Sequence, residues 1–297
     1  MKPRYLAIIG SLMVLNILTG CQKQEPVTPP PEARSEEQLN NEYRALLADT
    51  GLLRDGTPLL PAQIEPGPFL QVLCVAAAHG STEMLVRLLG ARSDVGLNST
   101  LDGRTMLHCA AASLHSTNSN LLLERGIDPN VQDSQGKTAL HLVVPQKDGV
   151  NLARLLVARG ARVDIRDTKG LTPLMLANAE SIKLLADKGA DLALQDPDGN
   201  TPLHWAAHRK AVDAAALLLY LGASPAVQNS AGKTPLHTSV ENRDPAMTEL
   251  FLRAGANPDT PDAGGLTPRQ LADKTGNKIL LSKFSHFPEA TKGSNPK

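Results

Sequence analysis

A six-residue pattern recurs at a nearly fixed interval along the chain, and it limits the fold more than any other feature. It reads Gly103-Arg104-Thr105-Met106-Leu107-His108, then Gly136-Lys137-Thr138-Ala139-Leu140-His141, Gly170-Leu171-Thr172-Pro173-Leu174-Met175, Gly199-Asn200-Thr201-Pro202-Leu203-His204, Gly232-Lys233-Thr234-Pro235-Leu236-His237 and Gly265-Leu266-Thr267-Pro268-Arg269-Gln270. The threonines are 33, 34, 29, 33 and 33 residues apart. A period of this length means that each unit is one small supersecondary element, which buries its apolar face only by stacking on its neighbours.

The residue types within a period predict its local structure. The Thr201 hydroxyl can cap a helix, and Pro202 suits the first helical position, where a missing N–H costs nothing. Leu203, Ala206 and Ala207 give that helix an apolar face whose small residues allow close approach. A second helix is expected from Ala214 to Leu221, ended by Gly222 in a left-handed conformation. Similar glycines stand at 126, 160, 189 and 255. Between units, Gln195-Asp196-Pro197-Asp198-Gly199 has tight-turn chemistry. One unit is therefore two antiparallel helices, and a composition with only 3% aromatic residues disfavours a β-sandwich.

At these residues the array resembles the ankyrin repeat family, from about Phe69 to Phe284. The resemblance implies an all-α solenoid of about seven helix-turn-helix units with short connecting hairpins, placed at 69–286. The first unit, Gln71 to Ala77 followed by Gly80, and the last, with Arg269 in place of Leu, are degenerate, as capping units facing water should be. The unit at Thr172 lacks four residues between Ala177 and Ile182, which predicts a stunted first helix. The unit at Thr138 carries an extra residue and Pro145, which ends its first helix early. Divergence is the preferred reading of this irregularity over a partner-specific notch.

Ahead of the array, Leu39, Tyr43, Leu46 and Leu47 mark one face of an amphipathic helix ending near Gly51, a lid for the first unit within a capping segment at 38–68. Gly56-Thr57-Pro58-Leu59 imitates the motif, but Pro61, Pro66 and Pro68 forbid a continuing helix. The stretch at 21–37, with Pro26, Pro29, Pro30 and Pro31, reads as a tether, and 287–297 as a disordered tail.

Lys2, Arg4 and the apolar run from Leu6 to Thr19 have the pattern of an export signal at 1–20, too short to span a bilayer. Leu18-Thr19-Gly20-Cys21 resembles the lipobox of bacterial lipoproteins. That resemblance implies lipidation at Cys21, stable membrane anchoring by two or three acyl chains, and a place in the cell envelope facing the periplasm. With Gln22 where Asp commonly signals inner-membrane retention, the outer membrane is favoured.

Chemistry beyond binding is not indicated. His204 and His208 have a metal-compatible spacing, but the family's histidine at the position of His108, His141, His204 and His237 makes hydrogen bonds within and between repeats. No metal site and no cofactor are expected. Cys74 and Cys109 hold non-equivalent repeat positions, which places them beyond the ~7 Å Cα limit for a disulfide and makes them packing residues. No phosphate loop, nucleophile elbow or paired-carboxylate set appears. The chain is not expected to be an enzyme. Lys plus Arg equals Asp plus Glu at 30 each, so no field recruits nucleic acid.

In the resembling family, partner proteins touch the hairpin tips and the exposed side of the first helices. Carried onto this sequence, the partner surface comprises Gln135, Lys137, Asp198, Asn200 and Lys233 at the tips, with Trp205, His208, Arg209, Glu241 and Asn242 on the helix side. Trp205 and Arg209 are the strongest candidates because Trp and Arg dominate interface hot spots. Trp at this place also serves as a filler between helices, and both roles stay open. The expected function is binding of another protein by a monomeric, membrane-anchored chain, with an inhibitor or immunity-like role as the specific form. The alternative is an envelope scaffold without one dedicated partner.

Overall fold

The computed structural model describes residues 35–54, 57–92, 94–285 and 287. The export segment, Cys21, nearly all of the tether and the tail beyond Phe287 lie outside the described residues.

A capping helix, α1 (Glu36–Asp49), buries Leu46 and Leu47 and ends at Gly51, whose φ is 70°. Leu53–Arg54 (β1) then pairs antiparallel with Thr57–Pro58 (β2), and Pro61–Gln63 adds one 3-10 turn. The motif imitation at Thr57-Pro58 thus starts no helix. Among the described residues, no helix is long and apolar enough to cross a membrane.

Seven helical pairs follow: α2 (Pro66–His79) with α3 (Thr82–Ala91), α4 (Met106–Ala112) with α5 (Ser116–Glu124), α6 (Ala139–Val143) with α7 (Val150–Ala158), α8 (Pro173–Leu176) with α9 (Ala179–Asp187), α10 (Pro202–His208) with α11 (Val212–Tyr220), α12 (Pro235–Glu241) with α13 (Pro245–Arg253), and α14 (Pro268–Thr275) with α15 (Lys278–Phe284). First helices pack on first helices and second on second, so the array has two layers with one continuous core between them. α1 packs on both α2 and α3, as a lid does. The second helix α11 starts two residues earlier than the alanine pattern suggests, because Lys210, at φ 56°, turns the chain immediately after α10.

The Thr-x-x-His element works differently from a simple hydroxyl cap. In the α10 unit the Thr201 backbone N–H donates to His204 Nδ1 at 3.2 Å, and the Thr201 hydroxyl lies 2.9 Å from the same nitrogen. Because Nδ1 accepts, the proton of the neutral ring sits on Nε2, which donates to the Lys233 carbonyl of the next unit at 2.9 Å. The same bridge runs from His108 to Lys137, His141 to Leu171 and His237 to Leu266. Each ring therefore closes its own helix start and ties two repeats together.

The cysteine reading is corrected. Cys74 and Cys109 form a disulfide, with their Cα atoms 5.5 Å apart. Ala76 and Ala77 of α2 and Ala110 and Ala111 of α4 are buried at this contact. Such small side chains let adjacent first helices approach closely enough for a pair one register apart to bridge.

The two irregular units behave as their sequences require. α6 has 5 residues and α8 only 4, against 7 in α4, α10 and α12. Met175 replaces the bridging histidine, and the buried Thr172 hydroxyl is left without a partner. The tip bonds Thr168 N–H to Gln135 O, Ser230 N–H to Asp198 O and Ala263 N–H to Ala231 O recur along the array, but Pro197 has no N–H to give at the equivalent place. The seam between the α8 and α10 units keeps the two side-chain ties that Gln132, Gln228 and Asn242 make at other seams, here supplied by arginines. Arg166 Nη1 donates to the Gln195 and Gly170 carbonyls, at 2.5 and 3.1 Å. Arg209 donates to the Leu176 and Ala177 carbonyls at 2.5 and 3.0 Å, at the truncated end of α8.

Candidate functional site: a polar cleft on the first-helix wall

Each tip is shaped by one side chain. Asp196 Oδ1 accepts from the backbone N–H groups of Asp198 and Asn200 at 3.0 and 2.8 Å. Asn229 does the same for Ala231 and Lys233 in the next unit, both at 3.0 Å. These turns pin two neighbouring tips, and Asn200 Oδ1 joins them by accepting from Asn229 Nδ2 at 2.8 Å. Gly199, with φ 79°, sits against Ser230, where a Cβ would fall 2.8 Å from the Ser230 backbone nitrogen. Only glycine fits such a left-handed, close-packed place without a shift.

Between these tips and the exposed sides of α10 and α12 lies a cleft of about 270 Å³, lined by Asp198, Asn200, His204, Trp205, His208, Asn229, Lys233, Thr238 and Glu241. Trp205 is half-buried, and its Nε1–H donates to Asp196 Oδ2 at 2.8 Å. The His208 ring meets the indole edge to face, with centroids 5.7 Å apart and planes at 85°. Lys233 Nζ pairs with Glu241 Oε1 at 2.6 Å on the opposite side. Both members of that pair are partly exposed, so water screens it and a ligand can compete for either. The cleft thus offers one rigid aromatic surface, both signs of charge and several amide groups.

Six of the residues expected to face a partner come together here: Asp198, Asn200, Trp205, His208, Lys233 and Glu241. Gln135 and Lys137 are on an earlier tip, outside the cleft; the Gln135 carbonyl accepts from Thr168 and the Lys137 carbonyl from His108. Arg209 and Asn242 point their donors at the scaffold. Asn242 Nδ2 reaches the Ala207 carbonyl at 3.0 Å, as Arg209 reaches the end of α8. Arg209 as a residue stays exposed to solvent, and only the partial desolvation of its guanidinium against these carbonyls lowers its pKa from the ordinary arginine value. Arg209 is exposed on the same helix but outside the cleft lining, and the ring in contact with Trp205 within the cleft is His208. Asn229 and Thr238 went unnoticed in the sequence, although Asn229 occupies the repeat position of Asp196 and could have been found by alignment of the units.

The inward turn of Arg209 has a measurable consequence. Arg209→Ala leaves two carbonyls at the end of α8 without donors and is expected to cost about 1–3 kcal/mol, read from denaturant unfolding. Its effect should appear as faster amide exchange in the α8 and α9 unit; an unchanged midpoint would show that the seam does not depend on this side chain.

His204 is committed at both ring nitrogens, which leaves His208 without a chelating partner. Among the described residues no group of three or more His, Cys, Asp or Glu side chains could hold a metal ion.

The comparisons with known proteins bear on the repeat architecture. The family description "Ankyrin repeats (3 copies)" matches residues 73–167 and 140–229, and "Ankyrin repeats (many copies)" matches 218–272. The chain is 32% identical over 168 residues to neurogenic locus notch homolog protein 1 of Xenopus laevis, covering 55% of this chain and 7% of that protein. It is 38% identical over 122 residues to the Homo sapiens protein of the same name, covering 39% and 5%. The chain thus spans less than a tenth of these relatives. Among solved structures it resembles the ankyrin repeat domain of Bcl-3, a member of the IkappaB protein family, with a TM-score of 0.63, 24% identity, and coverage of 71% of this chain and 96% of that one. With the family descriptions spanning more than half of its length, this chain belongs to the ankyrin repeat family.

Proposed function

We propose that this chain is a lipid-anchored protein of the bacterial cell envelope that binds one partner protein in the cleft around Trp205 and restrains it, as an inhibitor or immunity-like factor. Ankyrin repeat proteins mediate protein–protein interaction, and the observation that carries the reading to this place is the cleft itself. It gathers six of the expected contact residues, the half-buried Trp205 among them, with His208 exposed beside it. The rest of the array serves as a stiff backing, which lowers the entropic cost of docking. A monomer suffices, because the cleft is built within one chain.

Two features support the envelope location. One is the sequence from Lys2 to Cys21, with its basic start, apolar run and lipobox-like end. The other is the Cys74–Cys109 disulfide, a bond that persists in oxidising compartments. Cys21→Ser is expected to leave an unprocessed precursor or a soluble protein, measured by membrane fractionation. A mature-length species that still resists carbonate and salt washing would remove the anchor from this account.

A structural scaffold with many weak contacts is the competing reading. Affinity capture from detergent-solubilised envelopes separates the two: one stoichiometric partner supports the restraint role, and a diffuse set supports the scaffold.

A further inference from the structure

A second cavity lies at the N-terminal end of the array, away from the cleft, and its chemistry is different. Asn40, Tyr43 and Arg44 lie on one face of α1, and Met84, Arg87 and Leu88 on one face of α3, each set at i, i+3, i+4 spacing. With Pro58, Leu60 and Pro61 they enclose a slot of about 280 Å³. Met84 and Leu88 are 1% exposed and form its floor, whereas Leu60 is 63% exposed. Leu60 thus leaves the mouth of the slot open to an apolar group. The Tyr43 hydroxyl is already used, donating to the Leu59 carbonyl at 2.6 Å, so its ring is presented as an apolar wall. Burial pushes the Tyr43 pKa up to about 12, in keeping with a poorly solvated surface.

The charge of the lining has one sign. It contains two arginines and no carboxylate. Arg44 is exposed, and Arg87 meets Glu36 only at 3.9 Å, in a pair whose members are 48% and 83% exposed. Such a contact is screened by water and is easily exchanged for a better acceptor. Guanidinium groups recognise planar acid groups through paired N–H donors.

We propose that this slot binds a single-chain carboxylate, its apolar tail lying on Met84, Leu88 and Pro61 and its acid group held between Arg44 and Arg87. At about 280 Å³ the slot is at the small end of ligand pockets, in keeping with one medium-length acyl tail. A two-tailed membrane lipid is too large for it. This assignment does not rest on partner binding in the cleft.

The test uses the full chain held in discs of zwitterionic lipid. A nonanoate with a photoreactive diazirine in its tail is the probe, the matching alcohol is the neutral control, and labelled peptides are mapped by mass spectrometry. The expected result is saturable labelling within 40–61 and 84–88, weaker by roughly tenfold or more for the alcohol and for Arg44→Gln/Arg87→Gln. Both arginines are solvent-facing, so the double variant should keep its melting temperature; Arg87→Gln alone provides the same comparison if it does not. Labelling spread along the array, equal labelling by the alcohol, or undiminished labelling of folded variants would overturn the proposal.

Discussion

Replacing Cys74 and Cys109 together by serine is expected to destabilise the N-terminal part of the array by about 3–4 kcal/mol, the stabilisation a cross-link of this loop size gives by restricting the unfolded chain. The disulfide spans 35 residues and joins α2 to α4, the first two helices of the wall. The α2 unit needs this help because it has no Thr-x-x-His bridge to the α4 unit; its ties include the buried alanine contact and Asn118, whose Nδ2 donates to the Ala76, Ala77 and Gly80 carbonyls and whose Oδ1 accepts from the Thr82 hydroxyl. In a stack of repeats, stability passes only between neighbours, so the loss should stay local. Amide exchange should accelerate in α1 to α4 and remain unchanged in α12 to α15. Reductant should reproduce the effect in the native chain and do nothing to the serine variant. Identical unfolding of the native chain with and without reductant would show that the two thiols are not cross-linked.

Mild acid should weaken the whole array, and the four bridging histidines set the direction. Burial pushes the pKa of His108, His141, His204 and His237 below the ordinary histidine value. Each Nδ1 accepts the threonine N–H of its own unit, so a proton there would face a donor and break the cap. The unfolded chain takes up protons as pH falls through ~6.5, while the folded chain resists until its lower pKa values are reached. Stability is therefore fully present above ~6.5 and lost as pH falls below it, by up to ~1.4 kcal/mol per pH unit for each histidine. The last repeat contains a natural control: Gln270 accepts the Thr267 N–H at 3.1 Å and cannot titrate. Changing all four histidines to Gln should flatten the fall in melting temperature between pH 6.5 and 5.5, even if it lowers stability at every pH. A slope equal to the native one would assign the acid sensitivity to other groups.

The architecture was legible because its signals are local and repeated. Six Thr-centred motifs, with glycines at the helix ends and Asp or Asn at the tips, mark the same events again and again, and the stunted α8 follows directly from a four-residue gap. Contacts between repeats were harder to read. That Arg209 reaches the end of α8 depends on carbonyls 32 and 33 residues away in the neighbouring unit. Likewise the disulfide depends on how closely buried alanines bring two helices together, a distance that sequence spacing does not supply. The cleft residues were found as members of two tips and two helices; that six of them share one cleft while Gln135 and Lys137 do not is a matter of stacking.

Covalent capture from defined positions tests the central claim most directly. A photoreactive amino acid is placed at His208, on the exposed side of the cleft, or at Tyr220, which is 87% exposed on the second-helix layer. Irradiation of intact cells should give one discrete adduct from position 208 and none from position 220. A discrete adduct from 220, or none from 208 in a chain that is folded and present at normal levels, would contradict partner binding in the Trp205 cleft.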